Sequence, residues 1–527
     1  MRKQLFASVI FLGIAVSVVF YQSNAQIKYV PKAVLCAVLS NNPCSFVPGY
    51  IGPDPLLKKS NGYSGLFGPP PNSAAKDVQT PFDNMAWQMF VGLNWAASAT
   101  KQTPAVGLTA AGPRVWQKYR KVSQLFGNSL VTAKCTNALA LPVFSIGSDG
   151  NGHTMPNNEE YFQASTNLPL IDINGNWAIF ERRVNDIEAQ YLLAPNGQSS
   201  QTLTTQQGQT NFIVSHPKGA SFTPSGGTPL GKQGSIEIKT AWRILSKSMG
   251  DDLSRYYTQN AIVAVPGDLV TGGNQLCATV TLGLVGMHII QRNPLVTPRN
   301  GNLLPQWIWA SFEHVDNAPM AASPCNVRNG CGTNPATNWL NQPSCGSASP
   351  SQTVRYSFYN QKSSAQGTNI APAPSSSSAP NYPWSALPPY AQNGTTPATA
   401  MPQATRCWSI YSTTAQLNTQ WQNVLAKYNT PFQNYMLIGT QWGGAIEPEE
   451  GNPLPVDAVP AMLSNITLET YIQNYTGSDS NLPGPGSCVG CHSGATLAVK
   501  PFPSADFSFL PGLAEPSTAR SKMKTAR

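Results

Sequence analysis

Residues 487–494 read Ser-Cys-Val-Gly-Cys-His-Ser-Gly, so Cys488, Cys491 and His492 make a C-x-x-C-H pattern. Thiols separated by two residues can each add to one of the two vinyl groups on one edge of a haem, and the adjacent His then comes to lie beneath the iron as its proximal ligand. The expected cofactor is one covalently held haem c on Cys488, Cys491 and His492. With 10 Cys and 5 His in 527 residues, chance would produce the pattern only about 0.002 times. Competing chemistries fit less well. A thioredoxin-like pair needs a βαβ setting, and the flank Asn481-Leu-Pro-Gly-Pro-Gly-Ser487 reads as loop. A structural zinc site needs a second pair at finger-like spacing, which Cys325 and Cys331 do not provide. A plain disulfide across two residues leaves His492 unexplained.

The sixth iron ligand decides between an electron carrier and an enzyme. Four other histidines exist, and His153 and His216 lie in loop-like sequence. His314 ends the run QWIWASFEHV beside Glu313 and Asp316; strand ends build sites, and a carboxylate can orient an imidazole from behind. His314 is the expected distal ligand, with His288 the next choice. Met89, Met287 and Met436 are further options that read first as core filler. A six-coordinate iron implies electron transfer with a redox protein or a small-molecule donor or acceptor. An open distal site implies a peroxidase- or oxygenase-like oxidoreductase. A third possibility is an exported binding or scaffold protein with a redox tether. The sequence leaves enzyme status open. It contains no nucleophile elbow, phosphate-binding P-loop or H-E-x-x-H pair, and Glu159-Glu160 and Glu449-Glu450 read as solvated neighbours.

Residues 1–25 have a basic start, an apolar run from Leu5 to Phe20, and small residues ending at Ala25. That layout reads as a secretory signal peptide cleaved before Gln26. The expected location is periplasmic or secreted, with no transmembrane span after cleavage. Leader and motif together resemble bacterial exported c-type cytochromes, in which haem is attached outside the cytoplasm. The resemblance covers the leader and residues 488–492 and gives no family for residues 26–480. Small cytochromes c carry the motif near their start and supply Met many tens of residues later. Here only 35 residues follow His492, and their one Met is Met523 in a basic tail. The body must therefore cover the other haem face, with Phe502, Phe507, Phe509 and Leu510 packing at its edge. Export also makes disulfides the expected fate of the other eight cysteines, with Cys36–Cys44 and Cys325–Cys331 as plausible local staples.

Charged residues are 11% of the chain and hydrophobic ones 41%, which excludes charge-driven disorder. Six of the nine net positive charges lie at Arg2, Lys3, Arg520, Lys522, Lys524 and Arg527, leaving +3 for the rest. No basic run with interleaved aromatics remains, so nucleic acid is not an expected partner.

The elements that must position the motif read as α+β. Helical spacing marks 81–98, 114–126, 415–428 and, more briefly, 465–473. β-branched and aromatic runs at 235–245, 260–266, 278–290, 306–315 and 435–442 mark strands. Regular crossover helices are missing, so an antiparallel sheet or sandwich is expected. Residues 196–234 and 362–406 read as long loops. The expected organisation is a leader (1–25), a large β-rich body with several helices (26–462) carrying the Pro/Ser-rich insertion 362–406, and a short haem-bearing segment (463–527).

Overall fold

The five β-branched and aromatic runs form five of the eight strands of one mostly antiparallel sheet. The computed structural model describes residues 76–98, 107–148, 169–225, 233–296, 303–325, 354–443, 463–473 and 486–514, with short breaks between 127 and 137 and between 362 and 403. These all belong to one unit. The leader, Cys36, Cys44, Cys331 and most of the insertion lie outside them.

Eight strands compose the sheet: β1 (Arg120–Lys121), β2 (Val143–Ser145), β3 (Ile179–Val184), β4 (Ile236–Leu245), β5 (Thr258–Val265), β6 (Leu276–Val296), β7 (Leu303–His314) and β8 (Tyr435–Gly443). The 21-residue β6 is its spine. One edge of β6 pairs with β4, from Thr281 to Gln291. The other edge takes β5 up to Gly283 and then β7 from Gly286 onward. β8 closes the far side of β7. Only β2, against β5, runs parallel. The fold is thus α+β with a β-rich body.

Side chains alternate across a strand, and β7 divides accordingly. Ile308, Ala310 and Phe312 enter the main core, where α1 (Lys76–Leu93) and α4 (Ser412–Ala426) cover the sheet. Phe312 stacks on Phe90 at 4.3 Å and meets Trp87 edge-on at 5.0 Å. Trp87 also donates its indole N–H to Asn418 of α4. Trp307 and Trp309 point the other way, into a second cluster shared with α2 (Asp186–Leu193), α3 (Gln206–Ser215) and the C-terminal segment. That second face positions the motif.

Several expectations need correction. Residues 114–126 form two 3₁₀ turns around β1 rather than an α-helix. Val115, Tyr119, Val122 and Phe126 are nonetheless buried, because apolar spacing of three or four serves a 3₁₀ turn as well as a helix. The 196–234 stretch contains α3. Its polar composition hid a helix capped by Thr205, whose hydroxyl accepts from Gly208 N–H; a Cβ on Gly208 would meet the Thr202 carbonyl oxygen at 2.1 Å. At 465–473 only the short 3₁₀ helix Thr470–Ile472 forms. One disulfide is long-range, Cys135–Cys277, which no local spacing could reveal, and Cys407 is disulfide-bonded as well; Cys36, Cys44 and Cys331, on which the two expected local staples fall, lie outside the described residues. No described helix is long and apolar enough to cross a membrane.

Helix α2 buries Glu188 against Glu237 of β4, and the two carboxyl groups are within hydrogen-bonding reach of each other. Burial raises the Glu188 pKa well above the ordinary range, and the Glu237 carboxylate raises it further. Burial raises that of Glu237 as well. The folded protein therefore binds more protons here than the unfolded chain, and this contribution to stability falls as pH rises from the usual Glu range through the raised pKa values. Glu188→Gln, neutral at every pH, is expected to raise Tm at pH 8 and to have a smaller effect at pH 4.5. Thermal melts across that range check this; an equal shift at both ends would contradict it.

Candidate functional site

The motif lies on the sheet face that carries Trp307 and Trp309. Residues Cys488–His492 form one helical turn, α5. Ser487 caps it, its hydroxyl accepting from Gly490 N–H at 3.3 Å. Gln441 of β8, in register with Trp309, fixes the turn to the sheet: its side-chain amide oxygen Oε1 accepts from the Ser487 hydroxyl and from Val489 N–H, both at 3.3 Å. Val489 is fully buried beneath the turn. The half-buried Cys488 and Cys491 remain free thiols.

After α5 the chain folds back on itself. Leu497 N–H donates to the Pro503 carbonyl and Ala505 N–H to the Ala495 carbonyl, which brings Phe507 beside His492. His492 Nδ1 is 2.7 Å from the Phe507 carbonyl oxygen. A carbonyl can only accept, so Nδ1 carries the proton and the Nε2 lone pair points elsewhere. Asp506 and Phe507 adopt left-handed φ values of 53° and 65°, which cost roughly 1–3 kcal/mol each unless the surroundings enforce them. The surroundings do so through Asp506. Its carboxylate pairs with Arg292 of β6 at 2.5 Å and accepts from Phe222 N–H at 2.8 Å. Its carbonyl accepts the Trp307 indole N–H at 2.6 Å.

Around His492 stand Trp309 (ring centroids 5.7 Å apart) and Phe509 (4.9 Å). Phe507 packs on Trp309, and Leu510 joins the cluster beneath. Phe502, expected at the same edge, is half exposed. A second strap, residues 463–473, crosses the same face. Asn465 donates to the Ser311 hydroxyl and the Phe312 carbonyl of β7, and Ile466 N–H donates to Glu313. Glu313 is itself paired with Arg406. Gly286 permits this approach, since a Cβ there would meet the Thr467 hydroxyl at 2.1 Å. The strap brings Glu469 to the motif, where its charge acts on both thiols and on His492.

Burial dominates the electrostatics. It raises the Cys488 pKa well above normal and pushes that of Cys491 up to about 11, with Glu469 adding in the same direction. Burial lowers His492 to about 4 against the opposing pull of its bond to Phe507. At neutral pH the site holds two protonated thiols and a neutral imidazole. A dithiol redox catalyst needs a thiolate stabilised by its surroundings, which is the reverse of this environment. The donor set fits a haem c: two adjacent thiols, one imidazole with Nε2 available, and aromatic walls. Among the described residues no three His, Cys, Asp or Glu side chains converge as a metal site.

His314 is not brought to the motif. It ends the opposite face of β7, five residues or about 16 Å along the strand from Trp309. Both its ring nitrogens are engaged there, Nε2 with the Arg255 carbonyl at 3.0 Å and Nδ1 with Asp316 N–H at 3.2 Å. The ring is fully buried, stacks on Tyr256, and is held near pKa 4 by burial. It is a structural histidine behind a separate cavity of about 300 Å³. Arg243, Arg255 and Arg355 line that cavity against Asp251, Asp252 and Asp316, so its charges balance. His216 stacks on Phe212 and bonds Asn196 at the surface; His153 lies outside the described residues. His288, by contrast, is on the motif's face. Sequence reasoning missed Trp309, Glu469 and the Asp506 clamp. Strand alternation could have signalled the first; the other two depend on loop paths.

Comparison with protein-family models, curated proteins and solved structures finds no match.

Asp506→Ala would leave Arg292 buried without its partner, a loss of about 3–5 kcal/mol in comparable buried pairs. Amide hydrogen exchange at Leu497 and Ala505 is expected to accelerate while the β6 amides stay protected. Unchanged exchange at those two amides would remove Asp506 from its clamping role.

Proposed function

We propose that the chain is an exported, periplasmic or secreted, monohaem c-type cytochrome that transfers electrons. Cys488 and Cys491 hold the haem covalently and His492 provides the proximal ligand. The observation that carries this reading is the pairing of two free thiols on one capped helical turn with an imidazole whose Nδ1–H is taken by the Phe507 carbonyl. That bond fixes the tautomer, orients the ring and makes Nε2 more basic, as carbonyl partners of metal-bound histidines generally do. When bound, the haem supplies a one-electron couple at the iron.

The chain's own residues supply placement and exposure. Ser487 and Gln441 orient the turn, and Trp309 and Phe507 exclude water from one side of His492. Phe509, 41% exposed at its edge, offers a small apolar contact for a redox protein or a small-molecule donor. A thioether to each thiol would retain the cofactor in an exported protein after any partial opening of the site.

Protein produced in a bacterium that attaches c-type haem is expected to keep its haem stain through denaturing electrophoresis. Cys488→Ala/Cys491→Ala is expected to lose the stain completely. A wild-type chain without the stain, or a double variant that keeps it, would refute the attachment.

A further inference from the structure

We propose that His288 is the residue the sheet offers to the sixth coordination position of the iron. This rests on the proposed haem attachment at Cys488, Cys491 and His492.

Strand register carries the first part of the inference. His288 of β6 is directly opposite Ser311 of β7, and Ile290 is opposite Trp309. Directly paired residues point to the same side of a sheet, so His288 projects from the face against which α5 packs. Trp309 is its diagonal neighbour, about 7–8 Å away in an antiparallel pair, and Trp309 touches the His492 ring. Of the two candidate histidines, only His288 shares that face.

The second part is chemical. His288 is 8% exposed, and its Nε2 is buried without a hydrogen bond. Glu469 Oε2 stands 3.4 Å from it, beyond a normal hydrogen bond. A buried polar nitrogen left unsatisfied is destabilising, and a metal bond removes that cost. The groups facing the ring are Glu469 from the strap, Lys239 of β4 in cross-strand register, and His492 itself, whose electrostatics His288 and Lys239 both influence. The alternatives are placed elsewhere. Met89 and Met287 belong to the core on the other side of the sheet, and Met436 is in register with Glu313, four residues along β7 from Trp309.

His288 would hold the iron through its Nε2 lone pair, as a neutral imidazole with its proton on Nδ1. With His492 on the other side, the iron would be closed to small ligands and suited to electron transfer.

The test uses the full-length holoprotein. Near-infrared magnetic circular dichroism of the oxidised wild type distinguishes bis-imidazole ligation from imidazole–thioether or imidazole–water and needs no variant. The expected result is the bis-imidazole band, with no spectral change of the reduced protein under carbon monoxide. His288→Ala is expected to keep its covalent haem, become high-spin, bind carbon monoxide, and return to low spin on addition of free imidazole. Covalent haem with a thioether or water band in the wild type, or a low-spin bis-imidazole spectrum persisting in His288→Ala, overturns the assignment and leaves the attachment intact. A wild-type protein without covalent haem overturns both.

Discussion

The candidate site depends on one fixed carbonyl. Phe507 presents its oxygen to His492 only because residues 506 and 507 are held in left-handed conformations that neither Asp nor Phe favours. The hold comes from Asp506, tied to Arg292 and Trp307 on two neighbouring strands and to the backbone of Phe222. Buried charge pairs add little net stability but are costly to break, and that asymmetry suits a clamp. The geometry of a five-residue motif is thereby set by β6 and β7, about 200 residues earlier in the chain.

The same two strands organise everything else. β6 pairs with three strands, and period-2 alternation gives β7 two unrelated duties. Phe312 and its neighbours bind α1 and α4. Trp307, Trp309, Ser311 and Glu313 receive the C-terminal segment and the 463–473 strap. A register slip of one residue would exchange the faces, so the core and the site are specified together.

Much of this was legible in the residues. The five main strands came from β-branched and aromatic runs, and two long helices from apolar spacing, because those signals are local. The motif was legible because its residues are neighbours in sequence. The proposed sixth ligand was not. His314 ends a strand beside two carboxylates, which is a reasonable pattern for a ligand, yet its parity on β7 turns it toward the core, where backbone groups occupy both nitrogens. Parity relative to a segment some 180 residues away is set by tertiary packing, which a single strand does not encode. Helix α3 escaped notice because Gln, Thr and Asn carry no apolar rhythm, and its cap was the only local sign.

The most direct test of the central claim is the mass of the peptide that contains residues 488–492, released from denatured, reduced holoprotein. A peptide heavier by one haem is expected, with neither Cys488 nor Cys491 available to a thiol-alkylating reagent. A peptide of unmodified mass that takes up two alkyl groups would contradict it.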